Sequence, residues 1–352
     1  RTLPIQATQR VFLTGPTANT GDLLGSWSWQ GDVSQTETLC HQLNRHVDYL
    51  SYLPGVAYHE DISTDWAAIK QHVASADVVV VALGLPSSES GEATSLSNPA
   101  LPSQQVAFLK KIQALGKPIV TVVVTGRPLI LSTVAQLSDA LLISFFPGTK
   151  GAEALTNILL GKTEPTGRLP MTCPQNVGQI PLYYNDYNTG RPNQTTDGSG
   201  ENRYMSKYLD VSNAPLFPFG FGLGYADIAI KQAKLVQTTF SVDDDIAVEV
   251  TLSNDTEIAG TTVLQCYTHQ QVGETVRPRK ELKWFKRLEV DAKQQRQVTI
   301  CVPVNTLTNV HSDLTTHVDP GTYDIMVGLD SEHLHRLTCE IQPGKEHSDA
   351  DN

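Results

Sequence analysis

The first half of the chain alternates short runs of apolar residues with longer segments whose apolar residues recur at helical spacing. The runs have the length of buried strands, and we predict strands at 10–14, 48–53, 78–83, 119–124 and 140–144. The intervening segments predict helices at 33–47, 64–74, 102–115 and 152–160. Continuous apolar strands joined by helices are typical of a parallel sheet covered on both faces. We therefore predict an α/β domain over residues 1–180.

The pattern changes after Tyr225, where short strand-like segments replace the helices. Polar turns separate these segments, and we predict strands at 247–253, 262–268, 281–288, 297–302 and 322–327. This spacing is typical of an all-β sandwich, which we assign to residues 225–345, followed by a disordered polar tail at 346–352. Residues 181–224 have no regular period and are rich in Tyr, Asn, Gly and Pro, so they predict an irregular linker.

Composition narrows the range of functions. The formal net charge of −11 over 352 residues argues against a nucleic-acid partner, which would need a basic face. The longest apolar runs are far shorter than the roughly 18–20 residues that span a bilayer, so we expect no membrane partner. None of the five cysteines forms a CxxC pair, and we expect neither a metal nor a cofactor. Because the chain begins at Arg1 without a signal peptide, we expect that an upstream segment was removed or is not included in these residues.

Two glutamates are candidates for acid/base chemistry. In open parallel sheets, ligands bind outside the carboxyl ends of the strands. The long polar loop after the predicted strand 78–83 carries Glu89 and Glu92, and a carboxyl group at this edge can act as a general acid or base. The alternative is that both are solvated loop charges.

Two tryptophans follow the first predicted strand at the same edge of the sheet. The indole faces of Trp27 and Trp29 could stack on the apolar faces of sugar rings, or both could be packing residues. Asp65 lies at a predicted helix start, where capping explains it better than catalysis. The chain has no GxGxxG dinucleotide motif and no GxSxG nucleophile elbow.

A series of short motifs then points to a family. They are TGP at 14–16, GSWS at 25–28, ADVVVVALG at 76–84, GKP at 116–118, TGRP at 125–128, FPGTKG at 146–151, PTGRLP at 165–170, VGQIP at 177–181, NTGRP at 188–192, LFPFGFGLGY at 216–225, and RP and KEL at 277–278 and 280–282. In this order and spacing, the chain resembles the C-terminal half of glycoside hydrolase family 3, which includes bacterial periplasmic β-glucosidases and β-xylosidases.

The resemblance implies a flavodoxin-like six-stranded α/β sandwich followed by a fibronectin-III-like domain. It implies a retaining β-glycosidase acting on β-linked glucosides or oligosaccharides, in the periplasm or outside the cell. In this family a preceding barrel carries the aspartate nucleophile, and a loop of the α/β domain supplies the acid/base glutamate. The matching position is Glu92, with Glu89 as the fallback. The expected sugar-binding residues are Trp27, Trp29, Arg191 and Tyr204, which would place the 181–224 linker near the active site.

Some positions depart from the family pattern. Leu85, Leu96, Asn98 and Lys150 stand where close relatives often carry Glu, Arg, Asp and Glu. Because the barrel is missing from these residues, we expect the chain to be inactive alone. The alternative is a non-catalytic module that binds carbohydrate or a protein partner.

Overall fold

The computed structural model describes residues 2–60, 62–192 and 203–343. The chain divides into two compact units, Arg1–Glu164 with Cys173–Ile180 and Pro165–Thr172 with Pro181–Asn352. Residues 165–172 join the second unit because the amide of Leu169 donates to the Phe221 carbonyl at 2.9 Å and Gly220 donates back to Leu169 at 2.8 Å. The predicted tail at 346–352 lies outside the described residues.

The first unit contains a five-stranded parallel sheet with helices. The strands are β1 (Arg10–Thr14), β2 (Tyr49–Leu53), β3 (Val78–Gly84), β4 (Ile119–Val124) and β5 (Ala140–Ile143), in the order β2-β1-β3-β4-β5. The helices are α1 (Leu39–Asn44), α2 (Trp66–Ser75), α3 (Ser103–Gln113), α4 (Ser132–Leu137) and α5 (Gly151–Leu159). This strand order is the flavodoxin-like one, which confirms the predicted fold class.

The number of strands differs from the family expectation. The five observed strands are those that the apolar runs predict, whereas the sixth was expected only from the resemblance. After α5 the chain passes into the second unit at Pro165, and among the described residues no sixth strand pairs with this sheet.

The helix predicted at 33–47 is broken in the structure. A 3-10 turn at Val33–Gln35 precedes the shorter α1. Thr38 has an extended backbone, and its hydroxyl accepts from the His41 amide at 3.1 Å, so it starts α1 instead of continuing an earlier helix. Asp65 caps α2 by accepting from the amides of Ala67 and Ala68, which confirms its predicted capping role. Within the part of the chain that the structure describes, we find no helix with the length and apolar character needed to cross a bilayer.

The second unit is built from sheets whose strands pair antiparallel, with one exception. Its strands are β6 (Ile228–Leu235), β7 (Thr239–Phe240), β8 (Asp245–Asn254), β9 (Gly260–Gln270), β10 (Glu281–Val290), β11 (Gln295–Pro303), β12 (Asn309–Val310), β13 (Thr316–His317), β14 (Gly321–Gly328) and β15 (Leu334–Ile341). One sheet has the order β10-β9-β14-β15-β7, in which β7 pairs with β15 in parallel, a second has β11-β8-β6, and β12 and β13 form a separate hairpin. Sequence reasoning missed β6 and β15 because charged residues such as Lys231, Lys234, Arg336 and Glu340 interrupt their apolar positions.

Gly84 provides a test of the α/β packing. Its φ is +154°, and a Cβ atom there would overlap the backbone carbonyl of Val124 on β4. We expect Gly84→Ala to lower the free energy of unfolding of this unit by about 2–4 kcal/mol, because a backbone neighbour cannot move aside. Chemical denaturation, with amide hydrogen exchange followed in β3 and β4, measures the loss.

The matched control is Gly178→Ala in the same unit. A Cβ atom at Gly178 would lie 3.5 Å from its nearest neighbour, an ordinary van der Waals distance. We expect a change of less than about 0.5 kcal/mol for this surface substitution. Equal stability of the two variants would contradict the close approach of β3 and β4 at Gly84.

Candidate active site

Loops from neighbouring strands meet at the carboxyl edge of the parallel sheet. Gly91, in the loop after β3, lies so close to the loop after β1 that a Cβ atom would be 2.5 Å from Ser26 Oγ and 2.8 Å from Trp27 Nε1. Gly126, after β4, has no room for a side chain because Ser90 fills that space. The structure therefore brings the loop that contains Glu89 and Glu92 against Trp27.

Gln105 fixes the start of this loop. Its buried side chain, on α3, accepts from the Gly84 amide at 3.0 Å and donates to the Gly84 carbonyl at 2.8 Å. The same amide nitrogen lies 3.1 Å from the Tyr58 carbonyl oxygen. Both backbone groups of Gly84 are thereby satisfied at the point where β3 ends, which sets the path of the chain that follows.

Arg127 holds the middle of the loop. Its Nη2 atom donates to the Glu89 carbonyl oxygen and, at 2.6 Å, to the Thr94 carbonyl oxygen. Arg127 belongs to the TGRP motif at 125–128, but the motif alone does not indicate this anchoring role. One guanidinium thus ties together two backbone positions that flank Glu92.

Glu89 is engaged in the structure. Its Oε1 atom pairs with Nε2 of His59, which lies on a different loop. Tyr58 lies beside this pair, and burial raises the pKa of its phenol, with the Asp22 and Glu89 carboxylates raising it further. Tyr58 is therefore a neutral hydroxyl at physiological pH. Nothing in the local sequence pattern singles out Tyr58 or His59.

Glu92 differs from Glu89 in its surroundings. Its side chain is exposed, and its carboxylate has no hydrogen-bond or ion-pair partner among the described residues. Gly91 and Ala93 on either side both have positive φ, at 101° and 57°. The backbone is thus sharply turned at Glu92, and the carboxyl group is available to an external ligand.

The two tryptophans are surface residues and do not belong to the core. Trp27 is 73% exposed and Trp29 is 92% exposed. Trp27 is the middle residue of a short 3-10 turn at Ser26–Ser28, and Trp29 directly follows that turn. The close approach of the Glu92 loop involves Trp27 and Ser26, whereas Trp29 lies beyond the turn. Leu85, one of the departures from the family pattern, is buried at the end of β3.

The remaining two predicted residues lie in the second unit and are brought together there. The Arg191 guanidinium carbon is 5.4 Å from the centre of the Tyr204 ring, which is a cation–π arrangement. The Arg191 carbonyl accepts from the Ser206 amide at 2.9 Å. Residues 193–202 of the predicted linker lie outside the described residues.

A small depression adjoins this pair and includes residues that sequence reasoning missed. It is lined by Asp186, Tyr187, Asn188, Thr189, Pro192, Ser206, Asn213 and Arg279. The Arg279 amide donates to the Asp186 carbonyl at 2.8 Å. Burial raises the pKa of the Asp186 carboxyl group, while Arg279 and Lys280 oppose the shift. The lining of this depression therefore includes an acidic residue, Asp186, and a basic residue, Arg279.

Comparisons with known proteins agree with the fold and with the motifs. Residues 1–225 match the glycosyl hydrolase family 3 C-terminal domain, and residues 262–331 match the fibronectin type III-like domain. The chain is 31% identical to a periplasmic β-glucosidase of Salmonella typhimurium, over 97% of this chain and 47% of the relative. It is 28% identical to a β-xylosidase of Formosa agariphila, over 90% of this chain and 43% of the relative.

A solved β-glucosidase structure is also similar to this chain in fold and sequence. The β-glucosidase from Listeria innocua in complex with isofagomine superposes with a TM-score of 0.92 at 36% identity, over 98% of this chain and 47% of that one. The chain thus spans about half the length of the relatives that it matches. The match to the C-terminal domain covers well over half of the 352 residues, so this chain belongs to glycoside hydrolase family 3 as its C-terminal domain, with a fibronectin type III-like domain.

Proposed function

We propose that this chain is the acid/base half of a retaining β-glycosidase that removes terminal β-linked glucose or xylose. The observation that carries the proposal is the position of Glu92, an unpaired and exposed carboxylate on a loop that Arg127 and Gln105 anchor beside Trp27. An acid/base residue needs access to substrate together with a backbone held in place.

The contacts of the two glutamates favour Glu92 over Glu89. Glu89 is held by His59 and would have to give up that pair before it could reach a substrate. Glu92 has no such partner to lose among the described residues. We assign Glu89 a supporting role, in which its pair with His59 and its carbonyl bond to Arg127 position the loop.

The mechanism follows from the chemistry of retention, which requires two carboxyl groups about 5–5.5 Å apart. In the first step a nucleophilic carboxylate attacks the anomeric carbon, and Glu92 donates its proton to the departing glycosidic oxygen. A covalent glycosyl ester forms. In the second step the Glu92 carboxylate takes a proton from water as the water oxygen attacks the anomeric carbon. The bond between the anomeric carbon and the nucleophilic carboxylate breaks as the water oxygen attacks, so that carboxylate is released ionised and Glu92 is left protonated for the next cycle.

The second carboxylate comes, in this proposal, from a barrel domain that the 352 residues do not include. Trp27 and Trp29 offer indole faces to sugar rings, and Arg191 and Tyr204 offer hydrogen-bond donors to hydroxyl groups. The names of the relatives, a β-glucosidase and a β-xylosidase, support glucose or xylose as the sugar. The periplasmic relative also supports a periplasmic or extracellular location for this protein.

The isolated chain should not hydrolyse glycosides. One carboxylate cannot be both nucleophile and acid/base, and without the nucleophile no glycosyl ester forms. We expect no release of aryl alcohol from an aryl β-glucoside by the purified 352-residue chain. Activity that persists through repurification and disappears in Glu92→Gln would show that the chain holds a complete site.

The loss of hydrolysis rate on removing Glu92 should depend on the leaving group of the substrate. In the enzyme that includes the barrel, we expect Glu92→Ala to slow hydrolysis of oligosaccharides about 10²–10⁴-fold, because general acid help is lost. Aryl glycosides with good leaving groups need little protonation of the departing oxygen. For these substrates the rate of the first step should fall much less. Azide should restore turnover of these substrates and yield a glycosyl azide, because a small anion can attack the ester without a general base.

Glu89→Ala is the matched control for this experiment. We expect it to reduce rates for both classes of substrate by a similar factor and to give no azide rescue. If Glu89→Ala showed the leaving-group dependence and Glu92→Ala did not, the acid/base role would belong to Glu89. Near wild-type rates in both variants would favour the non-catalytic binding module.

Arg127 should act as a positioning residue. In the barrel-containing enzyme, Arg127→Met removes charged hydrogen bonds to two loop carbonyls, each worth about 1.5–3 kcal/mol. We expect kcat/KM for oligosaccharides to fall about 10–100-fold and amide exchange in residues 89–94 to accelerate. Arg10→Met is the control, because Arg10 pairs with Asp77 at the opposite edge of the sheet. Unchanged exchange in Arg127→Met would rule out the anchoring role.

A further inference from the structure

Two histidines and an aspartate converge in the second unit. His311 directly follows β12, His317 lies on β13, and Asp319 precedes β14. One ring nitrogen of each histidine and a carboxylate oxygen of Asp319 all lie within 4.8 Å of one another. We propose that His311, His317 and Asp319 form a binding site for a zinc ion.

The spacing of the ligand atoms matches a tetrahedral zinc site. Asp319 Oδ1 is 3.2 Å from His311 Nε2 and 3.6 Å from His317 Nε2. Zinc lies about 2.0–2.2 Å from nitrogen and oxygen ligands, so ligand atoms at the corners of its tetrahedron are about 3.3–3.6 Å apart. The two observed distances lie close to these values, so the Asp319 oxygen is already at ligand spacing from both nitrogens.

The second ring nitrogen of each histidine has a partner that orients it. His311 Nδ1 lies 3.3 Å from a carboxylate oxygen of Glu274, and His317 Nδ1 lies 3.3 Å from the Thr315 hydroxyl. Donation from Nδ1 leaves the Nε2 lone pair free to bind a metal. A carboxylate behind a ligating histidine is the usual supporting arrangement of zinc sites.

The buried atoms of the cluster lack ordinary partners. His311 and Asp319 are 5% and 6% exposed. Although His311 Nε2 and Asp319 Oδ1 are 3.2 Å apart, the contact lacks hydrogen-bond geometry, and neither His311 Nε2 nor Asp319 Oδ2 has a hydrogen-bond partner in the described part of the chain. Burying a polar group without a partner costs about 1–3 kcal/mol. A metal ion would satisfy His311 Nε2 directly and would balance the charge of the buried Asp319 carboxylate.

The ligand set favours zinc over harder cations. Imidazole nitrogens suit zinc and related first-row metals, whereas magnesium and calcium prefer all-oxygen sites. The carboxylates of Asp319 and Glu274 would balance the charge of a divalent ion beside two neutral imidazoles. Three protein ligands leave a fourth position for water.

One adjustment is required. The two imidazole rings stack face to face, with centroids 3.7 Å apart and an interplanar angle of 3°. Lone pairs in parallel ring planes do not converge on one point, so one ring must tilt when the ion binds. His317 can do this because its side chain is 51% exposed, whereas that of His311 is 3% exposed.

Zinc binding to the full 352-residue chain, measured by calorimetry after treatment with EDTA, tests the proposal. We expect one tight site per chain, a rise in melting temperature on adding zinc, and its reversal by EDTA. His317→Ala should weaken this site by about 100-fold or more, because it removes a direct ligand. Cobalt(II) in place of zinc should give the strong visible absorption of a four-coordinate ion, which His317→Ala should abolish.

His335→Ala and Cys301→Ser are the controls, because both residues are exposed on other strands and could bind zinc adventitiously. Both variants should keep the tight site. The exposure of His317 means that its removal should leave the metal-free melting temperature unchanged, so loss of binding is not loss of fold. Equal zinc affinity in wild type and His317→Ala, or the absence of a tight site in wild type, would overturn the proposal.

Discussion

The candidate site depends on how the chain leaves β3. This strand is buried along its whole length, so its final backbone groups have no water to bond and must find partners in the protein. Gln105 supplies both partners for Gly84, and the absence of a side chain at Gly84 lets β3 lie close to β4 at this edge. The direction in which the loop with both glutamates departs is therefore set by one amide side chain and one glycine. The contacts that the loop makes further along, with Trp27 and Arg127, depend on this direction.

Arg127, in the loop after β4, holds the next part of the loop that carries both glutamates. By bonding to carbonyls on both sides of Glu92, it holds the backbone of the loop without using the carboxylate itself. The Glu89 carboxylate is paired with the His59 ring, whereas the Glu92 carboxylate has no partner among the described residues. In the proposed mechanism, this division lets the loop be rigid while its acid/base group stays free to meet a substrate.

The second unit shows a different use of buried polar groups. The Tyr323 hydroxyl donates to the Asp319 carbonyl at 2.8 Å, and burial together with the Asp319 carboxylate raises the pKa of Tyr323 to about 12. The tyrosine thus stays a neutral donor and fixes the turn that carries Asp319. The β12–β13 hairpin, with Asn309 paired to His317, brings the two histidines to the same place. A zinc ion bound there would link the hairpin to the start of β14.

The sequence alone was enough to predict the five parallel strands, the change to an all-β unit, the capping role of Asp65 and the family, because apolar runs, polar turns and short motifs are local signals. It also indicated Glu89 and Glu92 as acid/base candidates, and the family resemblance placed Glu92 first. The pair between Glu89 and His59, thirty positions apart in the sequence, became visible only in the structure. Likewise, Arg127 and Gln105 reach the loop only through the sheet, and His311 meets Asp319 only through the hairpin. Such contacts were decided by the tertiary structure, because side chains distant in sequence come within bonding distance only after strand pairing and packing have set the path of the chain.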